Sequence, residues 1–169
     1  MDQTEIRESI VRMASDIARK EPNYPHAVLL GIQKGGVPIA RALAAELSSL
    51  SGRTIAFGSI DVSFYRDDLG QRLPYPEPTV LPTDINGRLV ILADSVLFSG
   101  RTVVAACDAL KDYGRAAAIR LAVLVDRGHR ELPIAPDFVG KYITTEFHQK
   151  VRVRDDFVAV VTYPNPTTP

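Results

Sequence analysis

A chain of 169 residues with 46% hydrophobic and 24% charged residues can bury the core of one domain, and its composition excludes a disordered or fibrous protein. Twenty basic residues balance twenty acidic ones, so no global basic field announces a nucleic-acid partner, and any RNA contact needs a local patch. A single cysteine, Cys107, excludes an internal disulfide, and with no signal-like or membrane-length apolar run the cytoplasm is the expected compartment.

Ile6, Ile10, Met13 and Ile17 recur at helical spacing, so residues 2–20 read as an amphipathic helix with Arg7, Glu8, Arg12 and Asp16 mostly on its wet side. Pro22 and Pro25 end it. Residues 27–32 form a short buried strand that runs into Gln33-Lys34-Gly35-Gly36, after which Ile39, Leu43 and Leu47 carry a helix over 37–50. That loop has two readings: a plain strand-to-helix turn with a solvent-facing lysine, or an anion cradle with two glycines for close approach and Lys34 as a point charge. Residues 54–64 read as a long strand. The proline-rich stretch 70–86 has few apolar anchors and suggests either a functional lid or a stiffened excursion. Arg66, just before it, is placed to close over a ligand or to pair with Asp67 or Asp68.

The chain is organised around residues 89–102. The apolar run 89–93 has the character of a strand buried on both faces, and Asp94 follows at its carboxyl end, where open α/β sheets place ligands. Ser99-Gly100-Arg101-Thr102 then opens a helix over 103–110. Unpaired N–H groups at such a start suit a phosphate, with Gly100 allowing close approach and the Ser99 and Thr102 hydroxyls donating. An ordinary strand–turn–helix with a serine cap is the plain alternative. Cys107 falls among Val103, Val104 and Leu110 as a small core residue.

Tyr113-Gly114 stops that helix, and residues 119–125 make another fully apolar strand ending in Asp126-Arg127-Gly128-His129-Arg130-Glu131. His129 is a possible general base, although a histidine in a charged loop is commonly structural. Residues 137–143, 150–153 and 157–162 are shorter β-like pieces, expected to form a small hood across the mouth of the sheet. The expected fold is α/β, a mainly parallel sheet flanked by helices with that hood, as one domain over 1–163 and a disordered tail over 164–169.

With those residues in view, the chain resembles the pyrimidine-operon regulators that double as uracil phosphoribosyltransferases, within the type I phosphoribosyltransferases. The resemblance runs from about Ile6 to Val153. It rests on 63–69 (Ser-Phe-Tyr-Arg-Asp-Asp-Leu), the strand–acid–loop signature for phosphoribosyl pyrophosphate (PRPP), and most specifically 121–134 with Asp137-Phe138-Val139-Gly140-Lys141. The resemblance implies transfer of phosphoribose from PRPP to uracil with Mg²⁺, giving UMP and pyrophosphate. It also implies binding of a pyrimidine-operon leader mRNA, as a homodimer or larger assembly, and no membrane association. Carried onto this chain, Asp94 and Arg66 are the catalytic positions, and Asp94 meets the metal only through PRPP-bound Mg²⁺. Asp94, Ser95, Val96, Leu97, Phe98, Ser99, Gly100, Arg101 and Thr102 bind PRPP or UMP. Lys34, Gly35 and Gly36 receive pyrophosphate, and Val125, Asp126 and Arg127 wall the uracil pocket.

Two departures follow. The signature's second acid is Ser95 here, and losing one hydrogen bond to a charge costs about 1.5–3 kcal/mol, one to two decades in rate or affinity. The pyrophosphate loop carries Lys34-Gly35 where a threonine–arginine pair is usual. The alternatives are therefore a UMP-sensing attenuator with little turnover, and a transferase for another small base. Candidate RNA contacts are Arg7, Arg12, Arg19, Lys141, Lys150 and Arg152; scattered surface charge is the competing reading.

Overall fold

The computed structural model describes residues 1–68, 75–154 and 157–162. Helix α1 (Gln3–Lys20) starts on a capping box, in which the Asp2 carboxylate accepts from the Glu5 N–H while Glu5 accepts from the Asp2 N–H. Its buried stripe is Ser9, Ile10, Met13, Ala14 and Ile17, at the spacing the sequence shows. After a short 3₁₀ turn come β1 (Val28–Ile32), α2 (Gly36–Ser51), β2 (Ala56–Ile60), β3 (Leu89–Leu97), α3 (Arg101–Leu110), β4 (Ala118–Asp126), β5 (Phe138–Tyr142), β6 (Gln149–Val153) and β7 (Val158–Thr162).

The first five strands form one sheet in the order β2-β1-β3-β4-β5, every pair parallel. The chain leaves β1 to one side for β2 and returns to its other side for β3. The topological switch thus lies between the carboxyl ends of β1 and β3, where such sheets open a crevice for ligands. Helices α1 and α2 cover one face, burying Met13, Ile17, Leu43 and Leu47 on Leu29 and Ile91. Helix α3 and Ile85 cover the other, on Val28, Leu30, Val90 and Leu92. Both faces being covered explains why the central strands are apolar without alternation.

Four sequence expectations are corrected. The long strand over 54–64 shrinks to Ala56–Ile60, because Asp61 ends it by accepting from both the N–H and the hydroxyl of Ser63. Strand β3 runs past Asp94 to Leu97, since Val96 and Leu97 still pair with Val125 and Asp126. The segment over 137–143 is no hood element; Phe138–Tyr142 is the edge strand of the main sheet, parallel to β4, with Phe138 buried against α1. Only β6 and β7 form the small antiparallel sheet. The proline-rich stretch is better anchored than its composition suggests: Ile85 is fully buried, Val80 bridges Ser59, and the Asp61 N–H donates to Thr79. Residues 69–74, Asp155, Asp156 and the expected tail lie outside the described residues. Cys107 is half-buried at the edge of the α3 cluster.

Candidate functional site

The switch point assembles the two loops that the sequence singles out. Between β3 and α3 the chain turns at Gly100, whose φ of +94° is a left-handed conformation that side chains rarely adopt. A Cβ there would also lie 3.2 Å from Ile134. The turn delivers the first N–H groups of α3 to the sheet edge, and the Ser99 hydroxyl accepts from the Arg101 N–H. A pocket of about 230 Å³ opens in front of it, lined by Asp94, Val96, Leu97, Phe98, Ser99, Gly100, Arg101, Thr102 and Val103, with Arg66, Asp68 and Glu131 at the rim. Every residue of the expected PRPP loop except Ser95 therefore faces one cavity, and Arg66 joins them from a distant segment.

Asp94 is the pocket's half-buried acid. Burial drives its pKa up from 3.8 to about 6, against the lowering pull of the Ser95 N–H and hydroxyl and of the Arg66 charge. The Ser95 N–H donates to Asp94 at 2.6 Å. Ser95 lines no part of that pocket, although its hydroxyl also bonds Asp94. It lies beside Gly35 in a separate, mainly apolar cavity of about 220 Å³ with Ile10, Pro38, Ile39, Ala42 and Leu124.

The Lys34-Gly35-Gly36 loop comes to the same edge, for a reason the sequence does not reveal. A Cβ on Gly36 would sit 2.0 Å from the Ala93 carbonyl oxygen, and one on Gly35 would sit 2.4 Å from the Ser95 hydroxyl. Both glycines are required by the close approach of this loop to β3. The loop is thereby pinned next to Asp94, its Gln33–Lys34 peptide bond is cis, and Lys34 reaches outward to pair with Glu77 at 2.8 Å.

The carboxyl end of β4 supplies a wall. Val125 is buried in the core, while the Asp126 carboxylate accepts from the Gly128 N–H and pairs with Arg130, so neither projects into the pocket. Arg127 is buried and lies 4.2 Å over the Phe98 ring; its guanidinium donates to the Thr145 hydroxyl and the Glu146 and Phe147 carbonyls. His129 meets Phe98 and Phe147 edge to face, at 6.1 and 5.8 Å, and the two phenyl rings are tilted to each other at 5.6 Å. His129 has a left-handed φ of +62° and its Nε2 is held by the Thr145 carbonyl at 2.7 Å, a structural tie rather than a free base. Thr145 and Phe147 carry no sequence motif and enter only through the tertiary arrangement, whereas sequence offers Asp67 and Asp68 as partners for Arg66, and Asp68 is the one that pairs.

Of the candidate RNA contacts, Arg12 donates to the Gly140 carbonyl, Arg19 pairs with Asp16, and Lys141 pairs with Glu5 across α1 and β5. Arg7 is exposed on α1, and Lys150 and Arg152 share the exposed face of β6. Among the described residues, no cluster of three His, Cys, Asp or Glu side chains could hold a metal. Nor, among those residues, is any helix long and apolar enough to cross a membrane.

A parallel sheet with an amide-lined loop and a half-buried acid at its switch point is the arrangement of an α/β protein that takes its ligand at the carboxyl ends of its strands. Residues 2–156 match the phosphoribosyl transferase domain, and the chain belongs to that family. Among curated relatives, it is 48% identical over 150 residues to the bifunctional protein PyrR of Picosynechococcus sp., covering 88% of this chain and 85% of that one. It is 50% identical over 152 residues to the bifunctional protein PyrR of Chloroflexus aurantiacus, covering 89% and 84%. The fold matches a hypoxanthine-guanine phosphoribosyltransferase from Bacillus anthracis with a TM-score of 0.70 at 19% identity, over 96% of this chain and 95% of that one.

Proposed function

We propose that this chain transfers phosphoribose from PRPP to uracil, forming UMP and pyrophosphate, and that it regulates pyrimidine biosynthesis with the same nucleotide pocket. The observation that carries the reading is the Ser99–Thr102 loop at the start of α3, opening on a cavity floored by Asp94. The loop's N–H groups and hydroxyls hold the 5′-phosphate, and the ionised Asp94 accepts from a ribose hydroxyl. Arg66 offsets charge as pyrophosphate leaves, and the Lys34–Gly36 loop receives it. The Phe98, His129 and Phe147 rings, backed by Arg127, offer the planar base an apolar wall beside hydrogen-bonding backbone.

Mg²⁺ fits this donor set as a passenger on PRPP. Among the described residues no cluster of His, Cys, Asp or Glu could hold a metal by itself, so Asp94 would meet the ion only as it arrives on PRPP. The ion neutralises phosphate charge when bound. Labelled uracil incubated with PRPP and Mg²⁺ tests the activity: UMP forms in excess over a heat-killed control, and its absence removes the enzymatic reading.

Ser95 favours a second reading, a UMP-sensing regulator of the pyrimidine-leader mRNA with little turnover, because no second acid supports Asp94. Tight UMP binding without UMP synthesis would select it. For RNA, the proposed face joins Arg7, Arg12, Arg19 and Lys141 of the α1–β5 surface to Lys150 and Arg152 of β6. A leader stem-loop is expected to shift in a gel more strongly with UMP, and no shift at low salt excludes the role. The assembly is proposed to be a homodimer or larger, which light scattering measures directly.

A further inference from the structure

The pocket proposed to take a phosphate is, in the unliganded protein, short of positive charge. Arg66 and Arg101 are its cations, while Asp68, Asp94 and Glu131 line it and Asp67 reaches it through Arg101, two positive groups against four carboxylates. Both arginines are already taken. Arg66 is gripped through Nε and a terminal nitrogen by Asp68. Arg101 donates from Nε to Glu131 at 2.8 Å and from a terminal nitrogen to Asp67 at 2.7 Å. A dianion approaching Arg101 meets two carboxylates, each already holding one of its N–H donors.

The two carboxylates on Arg101 are not equally fixed. Glu131 belongs to the rigid loop after β4: its N–H donates to the Ser99 carbonyl, and the adjacent Arg130 is bonded to Asp126, Phe98 and Ile134. Asp67 sits on the short segment after β2, tied back through the Tyr65 hydroxyl to Asp112 at the end of α3, and its side chain is 65% exposed. Asp67 is the more exposed of the two, 65% against 40% for Glu131, and withdrawing it into water costs the less.

We infer that Asp67 is a built-in competitor for the ligand's phosphate. Its carboxylate holds Arg101 while the site is empty, and an arriving phosphate, which bonds a guanidinium more strongly, expels that carboxylate into water. A ligand without phosphate has nothing to displace it with. The inference rests on the reading of the Ser99–Thr102 loop as a phosphate site, and it assigns Asp67 the setting of phosphate affinity.

The test is calorimetric titration of UMP, with uridine as control, into the wild-type chain, Asp67→Asn, Asp67→Ala and Asp67→Glu at low salt. UMP affinity is expected to rise about two- to fivefold in the Asn and Ala variants, the span that loss of an exposed ion pair allows. It stays at the wild-type value in the Glu variant, and uridine affinity is the same in all four. Amide hydrogen exchange of residues 63–68 is expected to be faster in ligand-free Asp67→Asn than in ligand-free wild type. Wild type that binds UMP while the Asn and Ala variants bind it equally or more weakly overturns the inference and leaves the phosphate site standing. Failure of every variant to bind UMP overturns both.

Discussion

Asp94 serves two opposed demands. Its carboxylate must be ionised to accept from a sugar hydroxyl, yet burial has raised its pKa from 3.8 to about 6. The folded protein therefore binds this proton more tightly than the unfolded chain does, and between those two values stability falls as pH rises. Asp94→Asn is expected to raise the melting temperature of the unliganded protein at pH 7–8. That gain is lost as pH falls from about 6 to 3.8, and only below the lower value is the wild-type group mostly neutral in both states. The same substitution should lower transferase activity by at least tenfold, so thermal melts and assays move in opposite directions. Equal melting temperatures at pH 8 would show that Asp94 carries no burial penalty. Ser95 behaves differently. From sequence, restoring an acid here is expected to raise activity; in the structure the side chain lies beside Gly35 and apolar neighbours and reaches the pocket only through its bond to Asp94. Ser95→Asp is accordingly expected to change turnover less than about tenfold, and a gain beyond two decades would place position 95 on the sugar.

At the scale of elements, the central strands, both long helices and the phosphate loop are legible in the sequence because each is local. A run such as Val90-Ile91-Leu92-Ala93 or the Ile10–Met13–Ile17 stripe declares its own burial. What stayed illegible depends on distant partners. Phe138–Tyr142 looks like any short strand until β4 offers it a free edge, and Asp61 looks like a strand residue until its side chain turns onto Ser63. The glycines of the first loop advertise close approach, yet only the structure shows that β3 is what they approach. Gly36→Ala drives a methyl into the Ala93 carbonyl and must push α2 off the sheet. The expected cost is about 1–3 kcal/mol, read as a lower urea midpoint, together with weaker PRPP binding. Gly52→Ala, at a left-handed helix cap with open space around it, is expected to cost about 1 kcal/mol and leave PRPP binding intact. The end of β4 makes a comparable case: Arg127→Lys keeps the charge but loses the planar fork that holds Thr145, Glu146 and Phe147. It is expected to raise the KM for uracil more than that for PRPP, and equal effects on both would deny that wall a role at the base.

For the whole molecule, the order β2-β1-β3-β4-β5 explains why segments far apart in sequence converge. Parallel strands put all their carboxyl ends on one edge, and the reversal between β1 and β3 leaves that edge open where the Lys34 loop and the Ser99–Thr102 loop emerge. Asp94 lies on the strand between them, and the β4 loop closes the side with Phe98, Arg127 and Phe147. Fold and site are thus one inference, that a phosphate sits on the amides at the start of α3. Backbone amide shifts of Gly100, Arg101 and Thr102 during titration with UMP, and separately with uridine, test this most directly. Large saturable shifts of these three amides with UMP, and small ones with uridine, are the expected result. Equal responses to the two ligands, or shifts confined to other parts of the sheet edge, would contradict it.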